Sequence, residues 1–128
     1  MWIMASEPYH DISIEDAKKL FNQSVTEKEL ANVFAIASNK FLWVEDNIYD
    51  YKSGTAEYKR ACEITDEWVM LMENIESKIF SILESEGVSI PDFGTISVLE
   101  PFMKRNGYFN GSGWWIMNDF FASSIDIS

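Results

Sequence analysis

Apolar residues recur every three or four positions along two long stretches of the chain, and this spacing predicts two long amphipathic α-helices. The first stretch carries the series Leu30, Phe34, Ala37, Phe41, Val44, Ile48 and Tyr51. The second carries the series Ala61, Ile64, Trp68, Leu71, Ile75, Ile79 and Ile82. Further apolar residues, Ile36 and Trp43 among them, lie outside the first series. We therefore expect the first long helix to be central to the fold.

Helix breakers bound both stretches. No glycine or proline occurs between Pro8 and Gly54, and none occurs between Gly54 and Gly87. Thr26 and Glu29 have the spacing of a capping box at the start of the first long helix. The second helix is expected over residues 55–86, with Gly87 as its stop, and would be about 45 Å long. Together these signals predict a helical hairpin over residues 26–87.

Shorter elements are expected on both flanks of the hairpin. A short helix is predicted to begin after Asp11 or Ser13 and to run to Phe21. Residues 95–99 suit a short strand or a helix turn, with Pro101 limiting any extension. Residues 108–109 and 114–117 flank a glycine-rich stretch. That arrangement predicts either a β-hairpin or a loop leading into a last helix through Phe121.

The length of 128 residues suits one domain over residues 1–128, and the fold class expected is predominantly α. Within it, residues 1–25 form an N-terminal arm and short helix, and residues 26–87 form the hairpin. Residues 88–128 form a glycine- and aromatic-rich C-terminal segment of mixed structure, in which a small β-hairpin is one of the two alternatives.

The net charge of the chain limits the kinds of partner that it is expected to bind. The chain carries 21 acidic and 10 basic residues, giving a formal charge of −11. This balance disfavours direct binding to nucleic acid or to an anionic membrane, and it favours a basic protein partner. Simple solubility explains the same charge. The single cysteine, Cys62, excludes an internal disulfide, and the sequence shows no signal peptide or membrane span, so a cytoplasmic location is expected.

An acidic face on the second long helix is the main candidate site. At 100° per residue, Asp66, Glu73 and Glu84 fall within about 20° of one another, with Glu63 and Glu67 beside them. Like charges along a helix do not stabilise it. The face is therefore either a docking surface for a basic protein or ordinary solvated surface.

Trp43 is the second candidate, because it lies with Ile36 away from the main apolar series of its helix. An exposed tryptophan is a frequent anchor in protein interfaces. The alternative is that it packs beneath another helix of the same domain. The adjacent Trp114 and Trp115 present a similar choice.

Signals for catalysis are weak. His10 is the only histidine, and no catalytic residue, metal ligand or cofactor site is assigned. The pairs Glu63/Asp66 and Glu73/Glu76 have a spacing suited to a divalent metal. These pairs resemble the paired motifs of all-α nucleotide pyrophosphohydrolases, which implies a metal-dependent nucleotide hydrolase as the alternative function. In that family the motifs lie on two adjacent helices, whereas here both fall on one helix and in a different order.

A second resemblance covers about twenty residues. The segment from Thr26 to Ser38 resembles the first helix and turn of bacterial helix-turn-helix repressors, with Ala35 in place of the customary turn glycine. It implies a DNA-binding regulator as a second alternative. Glu45, Asp46 and Asp50 in the would-be recognition helix would face phosphates, which is unfavourable.

The favoured function is a small, acidic, non-catalytic protein that binds and inhibits a basic, nucleic-acid-binding protein. Toxin immunity proteins, antitoxins and phage counter-defence inhibitors share this size and charge. The two long helices carry more apolar surface than a hairpin alone covers, so either residues 88–128 or a second subunit covers the rest. A homodimer through helical faces is therefore also expected.

Overall fold

Two long antiparallel helices form the predicted hairpin, and the fold is predominantly α. The computed structural model describes residues 2–4, 12–48, 50–111 and 114–118. In chain order the elements are β1 (Trp2–Met4), α1 (Ile14–Asn22), α2 (Glu27–Ile48), α3 (Ala56–Ser85), α4 (Ile96–Arg105), β2 (Tyr108–Gly111) and β3 (Trp114–Asn118).

Local signals set the helix ends close to where the sequence predicts them. Ser13 caps α1, its hydroxyl accepting from the Asp16 N–H at 3.1 Å. The hydroxyl of Thr26 accepts from the Glu29 N–H at the start of α2. Thr55 caps α3 in the same way, and Gly87 follows its end with a φ of 88°, a conformation that favours glycine.

Helix α2 is the central element, as its extra apolar residues predict. Every residue from Leu30 to Ala37 is buried, and α2 contacts α1, α3 and β3. On the facing side, α3 buries Trp68, Leu71, Ile75 and Ile79 of the predicted series. The other predicted residues, Ala61, Ile64 and Ile82, are half-buried, and Thr65 and Leu83 are buried in their place. The core therefore lies between the two long helices.

The C-terminal segment forms the hairpin that was one of two alternatives, and it also gains a strand from the N-terminus. Strands β2 and β3 pair antiparallel, with Asn110 opposite Trp115. Strand β1 pairs antiparallel with the other edge of β3, so the sheet order is β1-β3-β2. The sequence did not predict β1, because a three-residue strand carries too short an alternation to recognise.

Two buried asparagines of α2 hold the sheet against the helix. The Asn39 amide donates to the Trp115 carbonyl oxygen at 2.9 Å and accepts from the Trp115 N–H at 2.8 Å. Seven residues earlier, the Asn32 amide oxygen accepts from the Tyr108 hydroxyl at 2.9 Å. Asn39 thus satisfies both backbone groups of Trp115, as a neighbouring strand would.

Helix α4 corrects the expectation that Pro101 limits this segment, since the helix runs through Pro101 to Arg105. The proline leaves the Ser97 carbonyl without its helical donor. Both Pro101 and Ser97 are exposed, so this loss falls on the outer side of the helix. The opposite side of α4 is buried and packs into the core, through Leu99, Phe102 and Met103.

Arg105 joins three helices at one end of the hairpin. Its Nη1 and Nη2 donate to the two carboxylate oxygens of Glu86, each at 3.0 Å, and its Nε donates to Glu27. The Asn106 amide donates to the same Glu27 carboxylate at 3.1 Å. The start of α2, the end of α3 and the end of α4 are therefore fastened together, and we call this cluster of Glu27, Glu86, Arg105 and Asn106 the clasp.

Candidate partner-binding site

The acidic residues predicted on one face of α3 lie on its solvent side. Asp66, Glu73 and Glu84 are exposed. They project from the side of the helix opposite its buried core line. None of the three forms a salt bridge with another residue that the structure describes. Glu63 is also exposed, and its carboxylate lies 3.4 Å from Nη1 of Arg60. We call these four residues the acidic face.

An exposed methionine lies within the acidic face. Met70 is 64% exposed and follows Asp66 by one helical turn, and it precedes Glu73 by slightly less than one turn. It falls outside the predicted apolar series of α3, which is the signal that its side chain does not join the core. Met70 was not among the predicted site residues. Its exposure places an apolar side chain among carboxylates.

Trp43 and Glu67, the other two predicted site residues, lie together elsewhere. Both line a groove of about 760 Å³ between the start of α1, the C-terminal part of α2 and the first half of α3. Trp43 is 44% exposed, whereas Ile36 is fully buried. The two residues that the sequence paired thus differ, since Ile36 packs inside the domain and Trp43 reaches the surface. The predicted site divides into the acidic face and this groove.

The groove has an apolar floor. Ile14 and Trp68 are buried within it, while Val44, Ala61 and Ile64 are half-buried. Tyr51 contributes a further aromatic ring and is 45% exposed. A concave apolar surface with a few polar groups at its edge is the usual form of a binding site.

Charged residues of both signs stand along the groove. The basic residues are Lys40, whose Nζ lies 4.7 Å from the centre of the Trp43 ring, and Arg60, which pairs with Glu63. The acidic residues are Glu15, Glu57 and Glu67. None of these three acids forms a salt bridge with a described residue. Apart from Glu67, these charged residues were not predicted as site residues.

Glu76 is a half-buried acid close to the acidic face. Burial raises the pKa of its carboxyl, and the negative charge of Glu73 raises it further. Glu76 therefore lies at the boundary between the core of α3 and its charged surface.

The metal-site alternative has no ligand cluster to support it in the described part of the chain. There, no group of three or more histidine, cysteine, aspartate or glutamate residues is placed to hold a metal ion. The pairs Glu63/Asp66 and Glu73/Glu76 lie on the single helix α3. His10 lies outside the described residues.

The helix-turn-helix resemblance is not matched by the fold. Residues 27–48 form one continuous helix, so the turn implied near Ala35 is absent. Ala35 is fully buried within a run of small and apolar residues that suits an uninterrupted helix, and no glycine is present to end it. This correction removes the structural basis for a DNA-binding regulator.

Comparisons of the chain with protein-family models, with curated proteins and with solved structures find no match. Among the described helices, none combines the length and apolar character needed to cross a membrane. The acidic face and the groove are therefore the features from which a function can be inferred.

Proposed function

We propose that this protein is a small non-catalytic inhibitor that binds a basic protein through the acidic face of α3 and the groove that holds Trp43. The observation that carries the proposal is the exposure of Asp66, Glu73 and Glu84 along one side of a 30-residue helix, without salt bridges to described residues. Acids left unpaired along a helix do not stabilise it, and they are available to a partner's cations.

The mechanism would be steric and electrostatic occlusion. A net charge of −11 attracts a basic surface over long range, and the acidic face orients the encounter. Exposed Met70 supplies an apolar contact within the acidic face. If the partner's basic surface binds nucleic acid, the bound inhibitor would cover that surface and block nucleic-acid binding. This is the mode of action expected for the immunity-protein, antitoxin or phage counter-defence class. A cytoplasmic location and a homodimer belong to this proposal as further predictions.

Differential affinity capture tests the proposal. The bait is the full chain, in the wild-type form and as the variant Asp66→Lys/Glu73→Lys/Glu84→Lys. The control variant Glu45→Lys/Asp92→Lys/Glu100→Lys changes the net charge equally at acids outside α3. We expect a basic protein to be enriched by the wild type and by the control variant, and to be lost with the α3 variant.

Equal loss with both variants would show that net charge alone attracts the partner, which contradicts a role for the acidic face. Equal retention by both variants would contradict it as well. Circular dichroism verifies that each bait is folded. Reversing the exposed helix charges Asp66, Glu73 and Glu84 should change stability by only tenths of a kcal/mol each.

A further inference from the structure

The groove between α1, α2 and α3 combines two features that a single kind of side chain satisfies together. Its floor is apolar, with Trp68 and Ile14 buried and Trp43 partly exposed. Its edge carries Glu15, Glu57 and Glu67. A long basic side chain has a methylene stem that covers apolar surface and a charged end that pairs with carboxylates.

The charges already present favour a cation over an anion as the occupant. Arg60 is paired with Glu63, and Lys40 lies over the Trp43 ring. Glu15 and Glu57 lie in the first turns of α1 and α3, where the helix dipole favours negative charge. Glu67 lies in the interior of α3, where no helix terminus favours its charge. A positive group in the groove would gain most beside Glu67.

We propose that this groove receives an arginine side chain from the basic partner, with its stem on the apolar floor and its guanidinium at Glu67. This inference rests on the proposed function and names how the partner would be anchored. Arginine fits better than lysine, because its planar guanidinium pairs with carboxylates through two hydrogen bonds and stacks on aromatic rings such as that of Tyr51.

The test uses a small probe, so that it does not depend on identifying the partner. N-acetyl-arginine-methylamide is titrated into the full chain while the tryptophan indole N–H signals are followed by NMR. Trp43→Phe assigns the Trp43 signal. N-acetyl-citrulline-methylamide has nearly the same shape without the charge, and N-acetyl-glutamate-methylamide carries the opposite charge.

We expect saturable, millimolar binding of the arginine probe that shifts the Trp43 signal, with at least fivefold weaker binding of the citrulline and glutamate probes. The variant Glu67→Gln should weaken the arginine probe at least fivefold. The matched variant Asp92→Asn, which neutralises one exposed acid outside both the groove and the acidic face, should leave binding of the probe unchanged.

Three outcomes would overturn the inference. One is the absence of any saturable shift of the Trp43 signal. Another is equal binding of the arginine and citrulline probes, which would make the groove a purely apolar site. The third is equal weakening by the two neutralised variants, which would make the effect one of net charge. None of these results affects the capture experiment, which tests the acidic face, so a failure of the groove inference and a failure of the role proposed for the acidic face can be told apart.

Discussion

The two ends of the helical hairpin differ in how their polar side chains are used. At the clasp, Arg105 binds both Glu27 and Glu86. At the other end, the groove leaves Trp43 and Tyr51 partly exposed, and its acids form no salt bridges with described residues. One end is closed by its own side chains, and the other is open.

This difference predicts where substitutions should affect stability and where they should affect the proposed binding. Polar groups at the closed end are matched to one another across elements distant in sequence, so changes there should reduce stability. Acids without salt bridges to described residues and partly exposed aromatic rings at the open end contribute little to stability, and exposed aromatic residues are common at interfaces. Changes at the open end should therefore affect binding more than folding.

Two tryptophans that line the same groove differ most clearly in burial, and their substitutions should have the largest difference in effect on stability. Trp68 is 2% exposed and Trp43 is 44% exposed. Trp68→Ala should lower the free energy of unfolding by about 3–5 kcal/mol, the usual cost of removing a buried aromatic side chain. Trp43→Ala should cost about 1–2 kcal/mol, because much of its ring already contacts water. Urea unfolding of both variants measures the difference, and equal losses would contradict the assignment of Trp43 to a surface role.

The buried amide of Asn39 should matter next most. Asn39→Ala removes the side-chain amide that pairs with the N–H and the carbonyl of buried Trp115. Each buried group left unsatisfied costs about 1–3 kcal/mol. We therefore expect a loss of about 2–4 kcal/mol by urea unfolding. Tyr108→Phe is the matched variant, since it removes the hydroxyl that donates to Asn32 and should cost about 1 kcal/mol. A loss for Asn39→Ala no larger than that for Tyr108→Phe would contradict the role given to Asn39.

The clasp should contribute less, because its side chains are partly exposed. Arg105 is 40% exposed at its side chain, so its ion pairs with Glu27 and Glu86 are screened by water and salt. Arg105→Ala should lower the free energy of unfolding by about 1 kcal/mol, and thermal unfolding should show that this loss shrinks as salt is added. A loss independent of salt would mean that the contact of the Arg105 guanidinium with the Phe102 ring, rather than its ion pairs, fastens this end.

The helices were predicted more accurately than the sheet, because helix ends depend on local signals and strand pairing does not. Helix ends follow from local signals such as the caps at Ser13 and Thr55 and the stop at Gly87, all readable within a few residues. Strand β1 depends on pairing with β3, which lies more than a hundred residues away along the chain. The hydrogen bonds from Asn39 and Asn32 to the sheet likewise join residues 76 positions apart.

The site shows the same division. The exposure of Asp66, Glu73 and Glu84 follows from helical periodicity, so the sequence predicted it. The groove depends on the relative placement of α1, α2 and α3, so it could not be predicted that Glu67 and Trp43 share a surface. Glu15 and Glu57 were missed for the same reason.

The pH dependence of the free energy of unfolding tests whether the Glu76 carboxyl is half-buried between the core and the charged surface of α3. Its pKa is raised in the folded state, so its ionisation costs the folded state free energy. The contribution of this carboxyl to stability is therefore full below its usual pKa near 4.5 and is lost as pH rises through the raised value.

Glu76→Gln should thus become more stable relative to the wild type as pH rises from about 4 to about 7. Urea unfolding at the two pH values measures this change. Glu73→Gln should act in the same direction with a smaller effect, because Glu73 is the lesser cause of the shift. A stability difference between Glu76→Gln and the wild type that does not change with pH would contradict the assignment.

The central claim is that the acidic face of α3 guides a basic partner, and the association rate constant tests it most directly. Once the partner is captured and purified, its association with the wild type and with Asp66→Lys/Glu73→Lys/Glu84→Lys is measured by stopped flow from low salt to about 0.5 M. We expect the variant to associate at least tenfold more slowly at low salt, with a weaker salt dependence, and the two rates to converge at high salt. Equal association rates at low salt would contradict the claim and leave the acidic face as ordinary solvated surface.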